Sequence, residues 1–365
     1  MPAEALERAT EHQPRARVAL RAALAAGPSH AYLFRGPRGS GKRAAARAFA
    51  AEIIAAAAAD PEDARRRALA DPSPHPDLVW LAPRGAGHMV EEVRERVIRA
   101  ASYRPFEGGR RVFVIEAAEA MRDESQNALL KTLEEPPEFV HLILLSSEPQ
   151  QLLETIASRC QPVEFAPLPP AVLEGSLSGP PEEVAAVARL AAGDLERARL
   201  LLEPDGRELR ADAERCLAAA RAGEVAAAPW RGLLERAERA GAEAEDACRE
   251  ALEREAEEGQ KRSAKEITDE AKRAGRARRT ERLDLGLALC AAWLRDLAAV
   301  AAGAEDVAFN RDRLAELRAQ AAGLAPERPR RGAELVADAR RGLGLNVSEE
   351  LALEALFFRL ERLLS

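Results

Sequence analysis

A glycine-rich octapeptide, Gly36-Pro37-Arg38-Gly39-Ser40-Gly41-Lys42-Arg43, stands between the short apolar run Ala31-Tyr32-Leu33-Phe34 and an alanine-rich segment from Ala44 to Ala59. That order predicts strand, tight loop and helix, the context in which a G-x-x-x-x-G-K motif cradles phosphate. Glycines let successive backbone N–H groups converge on one anion, and the helix start adds its positive dipole end. Gly36, Gly39, Ser40, Gly41 and Lys42 are the predicted cradle, with Lys42 reaching the outer phosphates. The next position normally carries a Ser or Thr whose hydroxyl holds Mg²⁺. Here it is Arg43, so the cradle lacks a metal ligand. The alternative is a glycine turn that binds nothing.

Four further apolar runs read as strands: Asp77 to Leu81, Arg111 to Glu116, Val140 to Leu145 and Val163 to Phe165. The third strand, Arg111 to Glu116, is apolar through its middle, as a strand covered on both faces should be. It ends in an acid, Glu116, where nucleotide-hydrolysing proteins place a Mg²⁺-linked carboxylate. The following position, where a water-activating acid belongs, is Ala117. Glu116 is a candidate binding residue; the alternative is a solvated strand end. Ser146 and Ser147 end the fourth strand and could sense a phosphate or simply cap it.

Composition narrows the partners. With 54 Lys plus Arg against 61 Asp plus Glu, the net charge of −7 gives no global basic field, so any nucleic-acid contact must be local. The four cysteines, Cys160, Cys216, Cys248 and Cys290, form no C-x-x-C pair, which predicts no zinc site and a reduced, cytoplasmic setting. No apolar run is long enough to span a membrane, and no leader pattern opens the chain.

The strand–loop–helix, the helix ending Leu129-Leu130-Lys131-Thr132-Leu133-Glu134-Glu135-Pro136-Pro137, the triplet Ser158-Arg159-Cys160 and the segment His75-Pro76-Asp77-Leu78 together resemble the clamp-loader AAA+ ATPases of bacterial DNA replication. The resemblance is strong from Leu24 to Phe165, recognisable again at Asn346 and Leu351 to Leu356, and one of character only between Leu200 and Arg279. It implies an α/β fold: an AAA+ RecA-like parallel sheet with its P-loop over residues 1–166, a small helical lid over 167–207, and an all-α C-terminal collar for oligomerisation over 208–365. It implies a subunit that helps load a sliding clamp on primed DNA. Its partners would be gamma/tau-like and delta-like subunits in a hetero-pentamer. ATP is the implied ligand of a degenerate site, bound weakly or structurally. In this family the arginine of Ser-Arg-Cys reaches a neighbour's γ-phosphate, so Arg159 is the implied finger in trans; the alternative is a surface arginine paired within its own chain.

Three departures from the family pattern matter. Arg43 replaces the metal-binding hydroxyl, Ala117 replaces the catalytic acid, and Ala51 to Pro83 lacks the zinc cysteines many members carry. The first two imply the ATPase-defective member of the ring. An active motor subunit of the gamma/tau kind, and an unrelated P-loop regulator, are the alternative readings. Arg197, near Gly193 and Glu196 in the lid, fits a sensor poorly. The dense charges from Glu235 to Arg282, including the basic run Lys272, Arg273, Arg276, Arg278, Arg279 and Arg282, predict a solvated helix face; the alternative is a basic patch that touches DNA. The last helix, Glu349 to Leu364, is expected to bury Leu351, Leu353, Leu356, Phe357, Leu360, Leu363 and Leu364 and to serve neighbouring subunits.

Overall fold

The computed structural model describes residues 4–83, 87–107, 109–257, 263–343 and 348–365. Asn346, part of the C-terminal resemblance, and Gly108, which with Gly109 reads as a turn in the sequence, lie outside them. The chain divides into two compact units, Met1–Leu168 and Pro169–Ser365.

All five expected strands form: β1 (Ala31–Arg35), β2 (Leu78–Leu81), β3 (Arg111–Ile115), β4 (Val140–Ser146) and β5 (Gln161–Glu164). They make one parallel sheet in the order β2-β3-β4-β1-β5. β3 and β4 are buried along their whole lengths, which explains why their sequences are apolar without alternation. Helices cover both faces. On one, Phe49, Ile53 and Ile54 of the helix Lys42–Ala55 pack with Tyr32, Phe34, Val114 and Ile143. On the other, Leu129 and Leu133 of the helix Asp123–Glu134 pack with Leu33, Phe113, Leu142 and Leu144. The alanines of Lys42–Ala55 are small enough for that helix to lie buried from Ala45 to Ala55. The helix ends there, so the alanine run beyond it is turn, where Ala57 accepts the Gly109 N–H at 3.2 Å. This first unit has the sheet, loop placement and layering of the AAA+ RecA-like module expected from the sequence.

The His75-Pro76-Asp77-Leu78 segment has a mechanical use. Asp77 is fully buried and accepts the N–H groups of Phe106 (2.7 Å) and Glu107 (2.9 Å), pinning that loop to the entrance of β2. His75, His88 and His141 are buried as well, and burial pushes each imidazole below its usual pKa. Above about pH 6.5 they are neutral folded or unfolded. Below it the unfolded chain takes up protons that the folded chain resists, so stability must fall with pH. The urea midpoint of the first unit should drop between roughly pH 7.5 and 5.5. A midpoint constant over that window would mean these imidazoles titrate as freely when buried.

The second unit is helical. The helices Pro181–Leu190 and Leu195–Leu202, expected as a lid, join the C-terminal helices within this one unit: Glu183 pairs with Arg207 of the helix Pro204–Ala222 at 2.6 Å. The helices Arg231–Glu257 and Ala264–Ala301 run against each other as a long hairpin. They approach closely at Gly241 and Gly275, where a Cβ on either would stand 3.0 or 2.9 Å from the other's carbonyl oxygen. In the last helix, Glu349–Leu364, Leu353, Leu356, Phe357, Leu360 and Leu364 are buried inside the unit, with Phe357 stacked on Trp230 at 6.0 Å. Leu351 is 63% exposed, against expectation. Leu356, Phe357 and Leu360 therefore belong to this chain's own core rather than to a surface for neighbours.

Candidate functional site

The loop after β1 is shaped as a cradle. Gly39 and Gly41 have φ of 67° and 87°, a region that favours glycine. Gly36 passes so close to β5's end that a Cβ there would meet the Phe165 carbonyl oxygen at 2.1 Å. Gly41 precedes the helix Lys42–Ala55, so that helix's first N–H groups and its dipole face the loop. Lys42 is almost fully buried. Its Nζ donates to the carbonyls of Gly36 (2.6 Å) and Pro37 (2.7 Å) and lies 3.4 Å from Ser147 Oγ. The lysine thus stands over the cradle, tied to its rim and to the end of β4. Buried Gln13, from the break His12-Gln13-Pro14 between the first two helices, holds the loop from behind: it donates to Ser40 O (3.0 Å) and Ala166 O (2.7 Å) and accepts from Ala166 N (3.0 Å).

Arg43 and Glu116 meet. Arg43 Nε lies 2.5 Å from Glu116 Oε1, and its Nη2 lies 3.2 Å from Asp71 Oδ2. Asp71 also pairs with Arg47 at 2.8 Å, and both guanidiniums sit over the Trp80 ring, at 5.8 and 4.4 Å from its centroid. Burial pulls the Arg47 pKa down, with the Asp71 carboxylate opposing it; an arginine stays charged all the same. The Glu116 carbonyl accepts a hydrogen bond from His88 Nε2 at 2.6 Å, which fixes the end of β3. Burial keeps that imidazole neutral, so Nε2 carries its proton.

Ala117, at the water-activating position, has a left-handed backbone (φ 45°, ψ 55°) and no side chain to activate anything. Glu119, two residues on, does face the site: its Oε1 accepts the Ser147 N–H at 3.0 Å. Ser147 thereby links Glu119 to Lys42. The sequence named the serines but gave Glu119 no role, because the link is made through a backbone N–H. Ser146 is buried, its hydroxyl without a hydrogen-bond partner among the described residues.

The cradle suits a phosphate group. It does not suit the Mg²⁺ that commonly accompanies one. Mg²⁺ requires near-octahedral oxygen ligands and gives up its waters reluctantly. Position 43 supplies no oxygen, and its guanidinium already occupies the strand-end acid. Among the described residues no group of three or more His, Cys, Asp or Glu is placed to hold a metal ion, and none of their helices is long and apolar enough to cross a membrane.

Arg159 lies elsewhere. It follows the short helix Glu154–Ala157 and precedes edge strand β5. β1 and β5 are parallel, with Tyr32 opposite Gln161 and Arg35 opposite Glu164. Arg159 therefore sits where β5 begins and the cradle sits where β1 ends, roughly 20 Å apart along the strands at ~3.3 Å per residue. No single side chain spans that gap. Arg159 donates instead to Glu134 Oε1 (2.7 Å) and Thr155 O (2.9 Å), at the end of the Leu129–Glu134 stretch that carried the resemblance. Its neighbour Cys160 is buried, its thiol pushed up to about 12 by desolvation; it is a packing residue, not a nucleophile.

In the second unit Arg197 is half-buried in the first turn of Leu195–Leu202, which Asp194 caps by accepting from Glu196 N and Arg197 N. Of the basic run, Arg278 pairs with Glu281, Arg279 with Glu238 and Glu349, and Arg282 with Asp205. Half of that run is thus neutralised by carboxylates of its own unit.

Residues 12–169 match the protein family described as DNA polymerase III, delta subunit. A DNA polymerase III subunit delta' of Pseudomonas aeruginosa is 41% identical over 149 residues, covering 39% of this chain and 44% of the relative. Its counterpart in Bacillus subtilis is 35% identical over 151 residues, covering 41% and 46%. A DNA polymerase III subunit gamma/tau of Mycobacterium tuberculosis is 37% identical over 157 residues, covering 41% and 26%. The chain spans less than half the length of the curated relatives it matches. The similarity bears out the clamp-loader resemblance and its delta-prime character across the first unit.

Proposed function

We propose that this chain is a delta-prime-type subunit of a bacterial clamp loader, working in the cytoplasm with gamma/tau-like and delta-like partners to place a sliding clamp on primed DNA. The observation that carries this reading is the separation of Arg159 from its own cradle, in a unit whose sequence matches delta-prime relatives. An arginine on the rim of the sheet cannot serve its own phosphates, but it can supply charge to a neighbour's. A guanidinium suits that task because it is always charged and can grip two phosphate oxygens at once. The division into sheet module (1–166), lid (167–207) and collar (208–365) goes with this reading.

The motor reading is less well supported. Arg43 blocks the metal position, Ala117 offers no base, and Glu119 is engaged by the Ser147 N–H. The isolated chain should release phosphate from ATP no faster than buffer does. Robust turnover that disappears in Lys42→Ala would make it a motor instead. The assembly reading is tested by mixing the chain with gamma/tau-like and delta-like subunits and following size-exclusion profiles. Co-elution as one complex is expected; separate elution of this chain would remove the clamp-loader assignment.

Removing the last helix is a poor test of the collar, since that helix fills its own unit's core. Substitution of exposed Leu351 by lysine probes the outer face of that helix without opening the core, and should weaken co-elution with the partner subunits while leaving the melting temperature of this chain unchanged.

A further inference from the structure

We infer that the Arg43 guanidinium is a built-in replacement for the divalent cation, so that this cradle takes a phosphate-bearing ligand without metal, and that this one side chain sets the cation preference of the site. The inference deepens the cradle reading and rests on it, but not on the clamp-loader assignment.

The position is the starting point. In a metal-using loop the residue after the lysine and the acid at the end of β3 hold the cation between them. Here those two residues, Arg43 and Glu116, hold each other at 2.5 Å. The positive charge that belongs between loop and acid is present, delivered covalently. Asp71 and Trp80 fix its direction: Asp71 takes a second guanidinium nitrogen, and the indole face lies beneath. Glu116 is mostly shielded, at 18% exposure, so an incoming Mg²⁺ would have to displace the arginine to reach it. It would also meet a like charge there. Arg47 also pairs with Asp71, so a substitution of Arg43 leaves Asp71 with that partner while it releases Glu116.

A smaller, hydroxyl-bearing residue at position 43 should therefore create a metal site in one step. It restores the missing oxygen and releases the acid together, while Lys42, Gly36, Gly39 and Gly41 stay as they are. The test titrates a fluorescent ADP analogue into the full chain and into Arg43→Thr, Arg43→Thr/Glu116→Gln and Lys42→Ala, each with Mg²⁺ or with EDTA. Mn²⁺ paramagnetic resonance follows metal uptake directly. The wild-type chain should bind equally in both media. Arg43→Thr should bind about tenfold or more tighter with Mg²⁺ than with EDTA, take up Mn²⁺ with the nucleotide, and lose both gains when Glu116→Gln is added. Arg43→Ser serves in its place if the threonine variant melts early. Lys42-dependent binding that is equal with and without Mg²⁺ in Arg43→Thr would overturn this inference alone. So would wild-type binding that collapses on chelation. Absence of nucleotide binding in every variant would overturn the cradle reading and this inference together.

Discussion

Replacing Arg159 with alanine in an assembled clamp loader should slow ATP hydrolysis at the adjoining subunit by ~10³-fold or more, the range for arginines supplied in trans. That corresponds to about 4 kcal/mol of barrier. The complex itself should survive. Arg159 rests on Glu134 in the lone chain, with the two side chains 36% and 50% exposed. Such a surface pair is worth only ~0–1 kcal/mol, so the arginine leaves it cheaply when a neighbour's phosphate offers more. For the same reason Arg159→Ala should hardly change the chain's melting temperature. The loss should fall on rate more than on nucleotide affinity, because the guanidinium meets charge that develops in the transition state. Arg159→Lys should rescue little, since an ammonium cannot grip two oxygens at once. The measurement is DNA- and clamp-stimulated phosphate release by a reconstituted complex mutated in this subunit only. Unchanged rates in an intact complex would reduce Arg159 to a surface residue paired with Glu134.

Asp296→Ala should destabilise the second unit by ~3–5 kcal/mol, the penalty for stripping one partner from a buried charged network. Asp296 has no exposed surface. Its carboxylate accepts the N–H groups of Phe309 (2.9 Å) and Asn310 (2.7 Å) and the Asn310 side-chain amide (2.8 Å). Asn310 in turn accepts from Arg210 at 2.8 Å, and Arg210 reaches Asp312 with two nitrogens at 2.8 and 2.7 Å. Alanine would leave buried backbone donors unmatched and set this chain of contacts loose. For a unit of this size the fall in Tm should be about 10 °C. Asp296→Asn keeps the shape and an acceptor, and should lose less. A calorimetric scan in which the alanine variant melts within ~2 °C of the parent would mean that water takes over the lost bonds.

The two substitutions differ in how far sequence could foresee them. Arg159 stood out because its flanking Ser158 and Cys160, and its place after the fourth strand, are local signals. Asp296 did not, because it sits in a helix whose apolar residues dominate the pattern, and its partners lie beyond the helix end. The same contrast runs through the first unit. The five strands and the glycine loop were legible because strand burial and left-handed glycines leave marks within a few residues. The pairing of Arg43 with Glu116 and Asp71, and the Glu119–Ser147–Lys42 link, were not, since parallel strands bring together residues far apart in sequence. In the last helix the apolar spacing identified the buried stripe but overran it at Leu351, which is 63% exposed, and at Leu363, which is half-buried, among the described residues. Apolar residues on a helix tell which faces are greasy, not which of them the chain itself covers.

The placement of cradle and arginine at opposite ends of parallel strands has a consequence for geometry between molecules. A contact that brings the β5 rim of one subunit to the cradle end of another uses two different surfaces, so it is heterologous and has direction. It cannot be satisfied by a two-fold dimer, in which like surface meets like. Repeated, such a contact either closes into a ring or continues as a filament, according to the rotation per step. Each junction also points the same way round, so a member that gives from one side and barely receives on the other marks a fixed place in the circle.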